Sequence, residues 1–534
     1  MSDTGQRIKR RLESMRSERV RHETVWQDCF RYTFPLRGQG FGSEVIDSTT
    51  AQERKADAMD STATDALRIL ASSIMAGLTP ANARWFSLEV AGASDAEKVW
   101  LDEAADTIWT AIHTSNFDAA GYEGCVDLGA AGWFALYVDE DRQRGGLTFH
   151  LWPLGGLYIG QSTPAGRADI VYRAYTLTAL QAISEFGADR VSEKIRKAAE
   201  DKPGERFKFC HAIEPRSDYS AGSKRASNLP IASIHIEDEG ANVVRESGFH
   251  EMPVIVPRWM LVPDTAYGQG PVFDALPDIK MLNEVRRMHL AHAEMDIAPP
   301  MLAVDDGVLN PRTVKLGPRK IIVANSVESM KPLLSGANWQ LAYQEQEYLQ
   351  RSIRRALMAD QLQPQDGPAM TATEVHVRVG MIRQLLGPVY GRLQAEYLQP
   401  LIERCFGLAW RAGALGTPPD TLADREFSVR YLSPMARSQR LEEVTAMERL
   451  MMQIGSVAQM KPEVLDLIDG DALVRESSEA LGLPSGVVRT ADAVAAFREQ
   501  QAAQREAAEA QAQQAQMAQM AAGAAIEQAA QAPA

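Results

Sequence analysis

The chain has 534 residues, 56 of them Lys or Arg and 70 Asp or Glu, and a formal net charge of −14 at pH 7. With 45% apolar and 24% charged residues it has the balance of a folded protein of about two to four structural units. The acidic excess excludes a protein whose main task is gripping nucleic-acid phosphates, because that affinity comes from Lys and Arg neutralising them; a conduit that DNA slides past remains allowed.

No apolar run approaches the roughly 18 to 20 residues needed to span a bilayer, and the longest, Ile69 to Leu78, contains Ser72 and Ser73. Met1 to Arg21 is polar, mixes Arg with Glu and lacks the apolar centre of a secretory signal, so the chain is expected to stay in the cytosol where it is made. Cys29, Cys125, Cys210 and Cys405 lie far apart with no paired spacing, which predicts reduced, buried thiols and neither a zinc site nor a disulfide framework.

In chain order, Arg7 to Arg31 spaces Ile8, Leu12, Met15, Arg19, His22 and Trp26 as an amphipathic helix; interleaved Glu13, Glu18 and Glu23 make its basic face a solvated one rather than a nucleic-acid arm. Gly38 to Gly42 has phosphate-loop glycines without the Gly-Lys-Ser/Thr ending, and reads as a flexible loop. A helix follows from Asp57 to Leu78, then Arg84-Trp-Phe86 leading into a strand to Val90, a helix from Trp100 to Phe117, and a segment from Gly121 that becomes extended near Trp133. Asp139-Glu-Asp141 with Gly145-Gly146 predicts a hairpin turn rather than a metal site. Strands at Tyr158–Gly160, Ile170–Leu177, Phe207–Ile213, Ile231–Glu237, Val243–Ser247 and Val254–Met260, with helices at Thr178–Phe186 and Ser192–Glu200, make residues 1–265 one mixed α/β unit.

From Asp278 the apolar positions Ile279, Leu282, Val285, Met288, Met295 and Ala298 repeat with helical spacing, so this helix buries one face only. Pro299-Pro300 ends it. Met301–Val304 and Lys320–Ala324 then read as short strands of a small lobe. Asn338 to Met358 predicts a second one-sided helix on Trp339, Ala342, Leu349, Ile353 and Ala356, interrupted by Gln346, with Glu347 placed to pair Arg351. Pro364, Asp366, Gly367 and Pro368 make Gln361 to Met370 a loop. Thr371-Ala-Thr-Glu374 fits a capping box opening a long helix, which Gly387-Pro388 and Pro400 must kink or split.

Beyond the break at Gly416-Thr-Pro-Pro419, Phe427–Tyr431 reads as a strand returning to the main body. Helices are expected at Leu441–Ile454, Pro462–Ile468 and Ala472–Leu481. The tail from Ala491 is Ala, Gln, Glu and Arg: helix-favouring, with little apolar surface to bury unless copies pack side by side.

Catalytic motifs are missing from the sequence: it has no Walker-type loop, no Gly-x-Ser-x-Gly elbow and no His-Glu-x-x-His. His289, His292 and Asp296 share one helix face, a spacing that also arises by chance and reads as packing or pore-facing residues. No enzyme and no cofactor is expected, and any movement the protein supports must draw its energy from a partner.

Trp26 to Tyr32 with Pro35, Asp60-Ser-Thr62, Leu78-Thr-Pro80 with Arg84-Trp-Phe86, Tyr267-Gly-Gln-Gly-Pro271 with Leu282-Asn283, Thr371-Ala-Thr-Glu-Val375, Gly387-Pro388, Ser433-Pro434 with Ala436-Arg437, and Leu467-Ile-Asp469 with Gly482-Leu-Pro484 occur in an order and spacing similar to the portal (head-to-tail connector) proteins of short-tailed bacteriophages. The resemblance covers nearly the whole chain. It implies an α+β, predominantly helical subunit: a mixed α/β wing (1–265), stem helices (266–300 and 338–360) flanking a strand-containing clip (301–337), a tunnel loop (361–371), a long kinked helix and wing return (372–434), a helical crown (435–490) and a C-terminal helix or barrel (491–534).

It further implies a ring of twelve copies at one capsid vertex, double-stranded DNA passing through its channel, and docking of the terminase large subunit and then a tail adaptor protein. Major capsid and scaffolding proteins are further implied partners, with no membrane, in a virion component assembled in host cytoplasm. Gln361, Gln363, Gln365, Asp366 and Met370 would face DNA, and Asp305, Asp306, Lys315, Arg319 and Lys320 would meet clip partners. Two alternatives stand beside this reading: another head or tail structural protein such as an adaptor, usually much smaller, and a metal-dependent nuclease using His289, His292 and Asp296 or the acidic turn at Asp139.

Overall fold

In the computed structural model the described residues are 3–41, 49, 52–53, 58–82, 84–90, 93–141, 143–164, 166–220, 225–297, 301–303, 330–332, 339–362, 386–419, 421, 428–431, 447, 449–455, 469–481, 488–489, 494–505 and 511. The chain forms two compact units, one of Met1–Trp85 with Asp106–Gly416 and the other of Phe86–Ala105 with Thr417–Ala534. Helix predominates, accompanied by antiparallel sheets, as the α+β expectation requires.

The first unit opens with α1 (Asp3–Arg31), whose apolar positions meet a sheet. After the helix α2 (Thr62–Leu78) the chain enters the second unit with β1 (Phe86–Glu89) and the start of α3 (Asp95–His113), and the first unit resumes at Asp106 and continues with α4 (Phe117–Ala131), capped by Gly132 at φ 88°. Strands β2 (Leu136–Glu140) and β3 (Leu147–Leu151) form the hairpin expected around Asp139-Glu-Asp141. Its turn is local: the Asp141 side chain accepts from the backbone N–H groups of Gln143 and Arg144.

Five strands then pair as a meander: β4 (Leu157–Gly160), β5 (Ile170–Thr178), β6 (Arg206–Pro215), β7 (Ile231–Glu237) and β8 (Val243–Phe249), with α5 (Ala179–Phe186) and α6 (Glu193–Asp201) between β5 and β6. Alternation sends Tyr172, Cys210, Ala212, Ile234 and Ile236 to the face covered by Ile8, Leu12 and Met15 of α1. Phe209 and Val244 belong to a second cluster with Ala182, Phe186 and Ile195 of α5 and α6. Thr178 and Gln181 start α5 with reciprocal side-chain to backbone bonds.

The expected solvated face of α1 is corrected here. Arg7 and Arg11 both pair with the buried carboxylate of Glu214, and Arg16 pairs with Asp238. Arg19 is fully buried and donates to the carbonyls of Leu157 and Gly155, each at 2.6 Å. Four basic side chains therefore hold the helix to the sheet, because β6, the turn after β7 and the segment leading into β4 offer carboxylates and carbonyls where water was expected. The expected strand at Val254–Met260 is likewise shorter, only β9 (Val254–Ile255), which joins the β2–β3 sheet, and β10 (Met260–Leu261), which pairs with β11 (Gly268–Gln269).

A backbone approach explains Tyr267-Gly-Gln-Gly-Pro271. A Cβ at Gly270 would meet the carbonyl of Gly129, and one at Gly268 the carbonyl of Gly132, so only glycine permits the contact that Trp259 N–H to Gly132 O, at 2.8 Å, completes. Tyr267 itself closes an aromatic cluster with Trp26, Trp133 and His22, its ring 5.1 Å from that of Trp26.

In the second unit β1 pairs with β14 (Ser428–Tyr431), which gives the expected late strand its partner. Ser94 and Glu97 exchange bonds at the start of α3, and Thr421 donates to Glu97. The helix α12 (Gly470–Leu481; the helices between α6 and it are described below) begins on Asp469, whose carboxylate accepts from the N–H groups of Asp471 and Ala472. Residues 494–505 of the Ala/Gln tail are helical, and Arg498 forms a two-point pair with Asp471. All four cysteines are buried and free, and among the described residues no helix is long and apolar enough to cross a membrane.

Candidate functional site

Two helices of the first unit, α7 (Pro271–Ile297) and α8 (Trp339–Ala356), pack against each other and differ sharply in burial along their length. Every buried residue of α7, from Pro271 to Asn283, lies in its first half, and the helix runs through Pro277 rather than starting at Asp278. Polar side chains clamp that half. Asn283 accepts from the N–H of Met59 at 2.6 Å and donates to the Ile279 carbonyl. Asp60 accepts from Gln350 of α8 and from the N–H of Thr62 that opens α2, with Arg286 of α7 at 3.7 Å. Ser352 of α8 donates to Asp278 of α7 at 2.6 Å. Asp60-Ser-Thr62 and Leu282-Asn283 are thus one joint tying three helices.

Beyond Asn283 no residue of α7 is buried. Met288 is 50%, Leu290 59%, Met295 49% and Ile297 84% exposed, and Tyr343 and Tyr348 of α8 are exposed as well. Charges are interspersed: Arg287 pairs with Glu284 and, more loosely, Arg351 with Glu347 at 3.7 Å, while Arg354 and Arg355 are exposed. On α8, buried Leu349 and Ile353 follow the predicted stripe; Gln346, expected to interrupt it, is itself buried. Large apolar groups held in water on a well-anchored helix pair mark a surface built for covering.

The described chain resumes with α10 (Gly387–Leu393), a π-helical turn (Gln394–Leu398) and α11 (Gln399–Arg411); the π turn interrupts the α-helix just before Pro400, and the residues leading to Gly387-Pro388 lie outside the described ones. After α8 the described residues continue into a short helix, α9 (Ala359–Leu362), reached through Met358 at φ 57°. Glu396 in the π turn binds Arg258, and Arg392 donates to the Trp259 carbonyl at 2.8 Å. On α11, Arg404 reaches the Val138 carbonyl and Glu251, and Arg411 holds Glu251 by two bonds. α11 is thereby fixed to β2 and to the segment after β8.

Of the residues expected to face DNA, Gln361 is exposed on α9; Gln363, Gln365, Asp366 and Met370 lie outside the described residues. So do Asp305, Asp306, Lys315, Arg319 and Lys320, the run Lys320–Ala324 and the capping box at Thr371. The lobe between α7 and α8 is closed at its base by β12 (Met301–Ala303) and β13 (Met330–Pro332), antiparallel with Met301 opposite Pro332. Among the described residues no group of three or more His, Cys, Asp or Glu side chains is arranged to hold a metal ion; His292 and Asp296 point to solvent. Sequence reasoning missed the anchors Asp60, Asn283, Arg258 and Glu396. A signal was present in the first two, polar residues at positions that helical spacing assigns to the core.

The family model described as "Bacteriophage head to tail connecting protein" matches residues 5–488. The chain is 29% identical over 511 residues to a probable portal protein of Bordetella phage BPP-1, covering 93% of this chain and 91% of that one. It is 28% identical over 518 residues to the portal protein of Salmonella phage epsilon15, covering 94% and 92%. Among solved structures, the neck of an empty GTA particle matches at 12% identity and a TM-score of 0.37, over 75% of this chain and 90% of that one.

Proposed function

The chain belongs to the family of bacteriophage head-to-tail connecting proteins, and from that premise we propose that copies of it close into a ring whose channel carries the genome. Its role is that of the portal protein at the head-to-tail connection, a virion component. The observation that carries the ring is the exposed half of α7, where Met288, Leu290, Met295 and Ile297 keep about half or more of their surface in water and a neighbour related by rotation would cover them. Exposed basic side chains such as Arg354 and Arg355 on α8 offset locally the repulsion between chains of net charge −14.

In this reading residues 1–265 are the wing, 266–300 and 338–360 the stem, 301–337 the clip, 361–371 the tunnel loop, 372–434 the kinked helix and wing return, 435–490 the crown and 491–534 a C-terminal helix or barrel. The ring has twelve copies and assembles in host cytoplasm with scaffolding and major capsid proteins. Its clip, with Asp305, Asp306, Lys315, Arg319 and Lys320, docks the terminase large subunit and later the tail adaptor. Gln361, Gln363, Gln365, Asp366 and Met370 line the path of double-stranded DNA, which the ring guides without itself catalysing a reaction. Deleting Pro364 to Pro368 tests the assignment: rings form and DNA packaging or retention fails. Unassembled protein from that deletion makes the loop structural instead.

A further inference from the structure

One row of the five-stranded sheet carries four basic side chains abreast: Arg173 of β5 is opposite His211 of β6, His211 opposite His235 of β7, and His235 opposite Arg245 of β8. Three of the four are satisfied within the protein. The two imidazoles stack with centroids 3.8 Å apart, His211 bonded to Ser233 at 2.8 Å and His235 to the Tyr175 hydroxyl at 2.9 Å. Arg245 pairs with Glu185 at 2.8 Å.

Arg173 is different. Its guanidinium is clasped between the rings of Trp152, at 4.8 Å, and Tyr175, at 5.3 Å, and makes no hydrogen bond or ion pair among the described residues. Burial lowers its pKa; the groups opposing this are the hydroxyls of Tyr175 and Tyr137, with no carboxylate among them. Cation–π contact offsets part of the desolvation but accepts none of the fork's N–H donors. A half-buried charge lying against two rings, with no carboxylate beside it among the described residues, is an arrangement that an anion can complete.

We infer that Arg173, framed by Trp152 and Tyr175 at the head of the Arg173–His211–His235–Arg245 row, is a receptor for one carboxylate. The charge count selects the class: with both histidines neutral and Arg245 paired, one positive charge is free, which matches a monoanion and leaves a phosphate dianion half compensated. The fork also matches a carboxylate with two parallel bonds. Such a group arrives as a free carboxylate or as an acidic side chain of a second copy.

The test uses the full chain with uniformly labelled arginine, following the Arg173 Nε–H resonance, assigned by its loss in Arg173→Gln, during titration with sodium acetate at ionic strength held constant with sodium chloride. A saturable shift that is absent in Arg173→Gln, and about tenfold weaker as a thermal stabilisation by acetate in Arg173→Lys, supports the site. No saturable shift in a protein whose far-ultraviolet circular dichroism is native overturns it, as does acetate stabilisation unchanged in Arg173→Gln. Weaker self-association of Arg173→Gln in sedimentation places the carboxylate on a second copy. Unchanged self-association with acetate binding intact in the parent assigns a free carboxylate.

Discussion

Glu396 accepts three bonds from Arg258, from the backbone N–H at 3.1 Å, Nε at 2.9 Å and Nη2 at 2.6 Å, while 9% and 1% of the two residues remain exposed. Arg258 spends its other donors on the carbonyls of Ala266 and Gly166. A buried pair so completely bonded is costly to break, because the survivor is left charged and unpaired. Glu396→Ala is expected to destabilise the first unit by about 3–5 kcal/mol. Chemical denaturation of parent and variant measures it, and a loss below about 1 kcal/mol would show the pair to be dispensable.

That anchor joins positions 138 apart in the chain, and this separates what was legible in the sequence from what was not. The meander and its helices were legible because a period of two or of 3.6 is a local property: Tyr172, Cys210, Ala212 and Ile234 alternate as a buried sheet face must. The helical spacing of α7 and α8 and the interruption before Pro400 followed from periodicity and from proline. Spacing put Arg19 on the same stripe as Ile8, Leu12 and Met15, but the carbonyls of Gly155 and Leu157 that receive it lie far along the chain and were not legible. Periodicity marked one apolar face along the whole of α7 but did not show that burial stops at Asn283, nor that Asp60 and Asn283 clamp the first half.

The stacked pair His211 and His235 makes stability depend on pH. Burial holds His235 down to about 3 and His211 well below its ordinary value, reinforced in both by Arg173 and Arg245 and in His211 by His235. Between about 6.5 and 3 the unfolded chain binds protons that the folded chain refuses, so this contribution is full above 6.5 and declines as pH falls. The slope reaches about 1.4 kcal/mol per pH unit for each histidine. Denaturation at pH 7.5, 6.0 and 5.0 should show His235→Gln losing less stability on acidification than the parent, by the equivalent of one proton; parallel pH profiles would contradict the assignment.

Burial also governs the thiols. Cys29, Cys125, Cys210 and Cys405 are each pushed up to about 12, chiefly by loss of hydration, so almost no thiolate exists at neutral pH. Ellman's reagent at pH 8 is expected to find none of the four in native protein and all four in guanidinium chloride. Rapid reaction of one in native protein would mean that its part of the core opens.

The exposed half of α7 predicts a separation of folding from assembly. Met288→Glu and Met295→Glu place charge where the subunit's own core is untouched, so monomer stability should change by less than about 0.5 kcal/mol. Self-association should weaken about tenfold or more for each, since burying a methionine contributes about 1.5–3 kcal/mol and burying an unpaired carboxylate costs more. Sedimentation of the variants at several concentrations reads this directly.

Closed rotational assembly can be read from native mass measurement of the protein at micromolar concentration, joined to electron micrographs viewed along the particle axis. One closed species of twelve subunits with a central opening is expected, and its disappearance when Met288 and Met295 are both changed to Glu. A stable monomer at that concentration, with no annular particles, would contradict it.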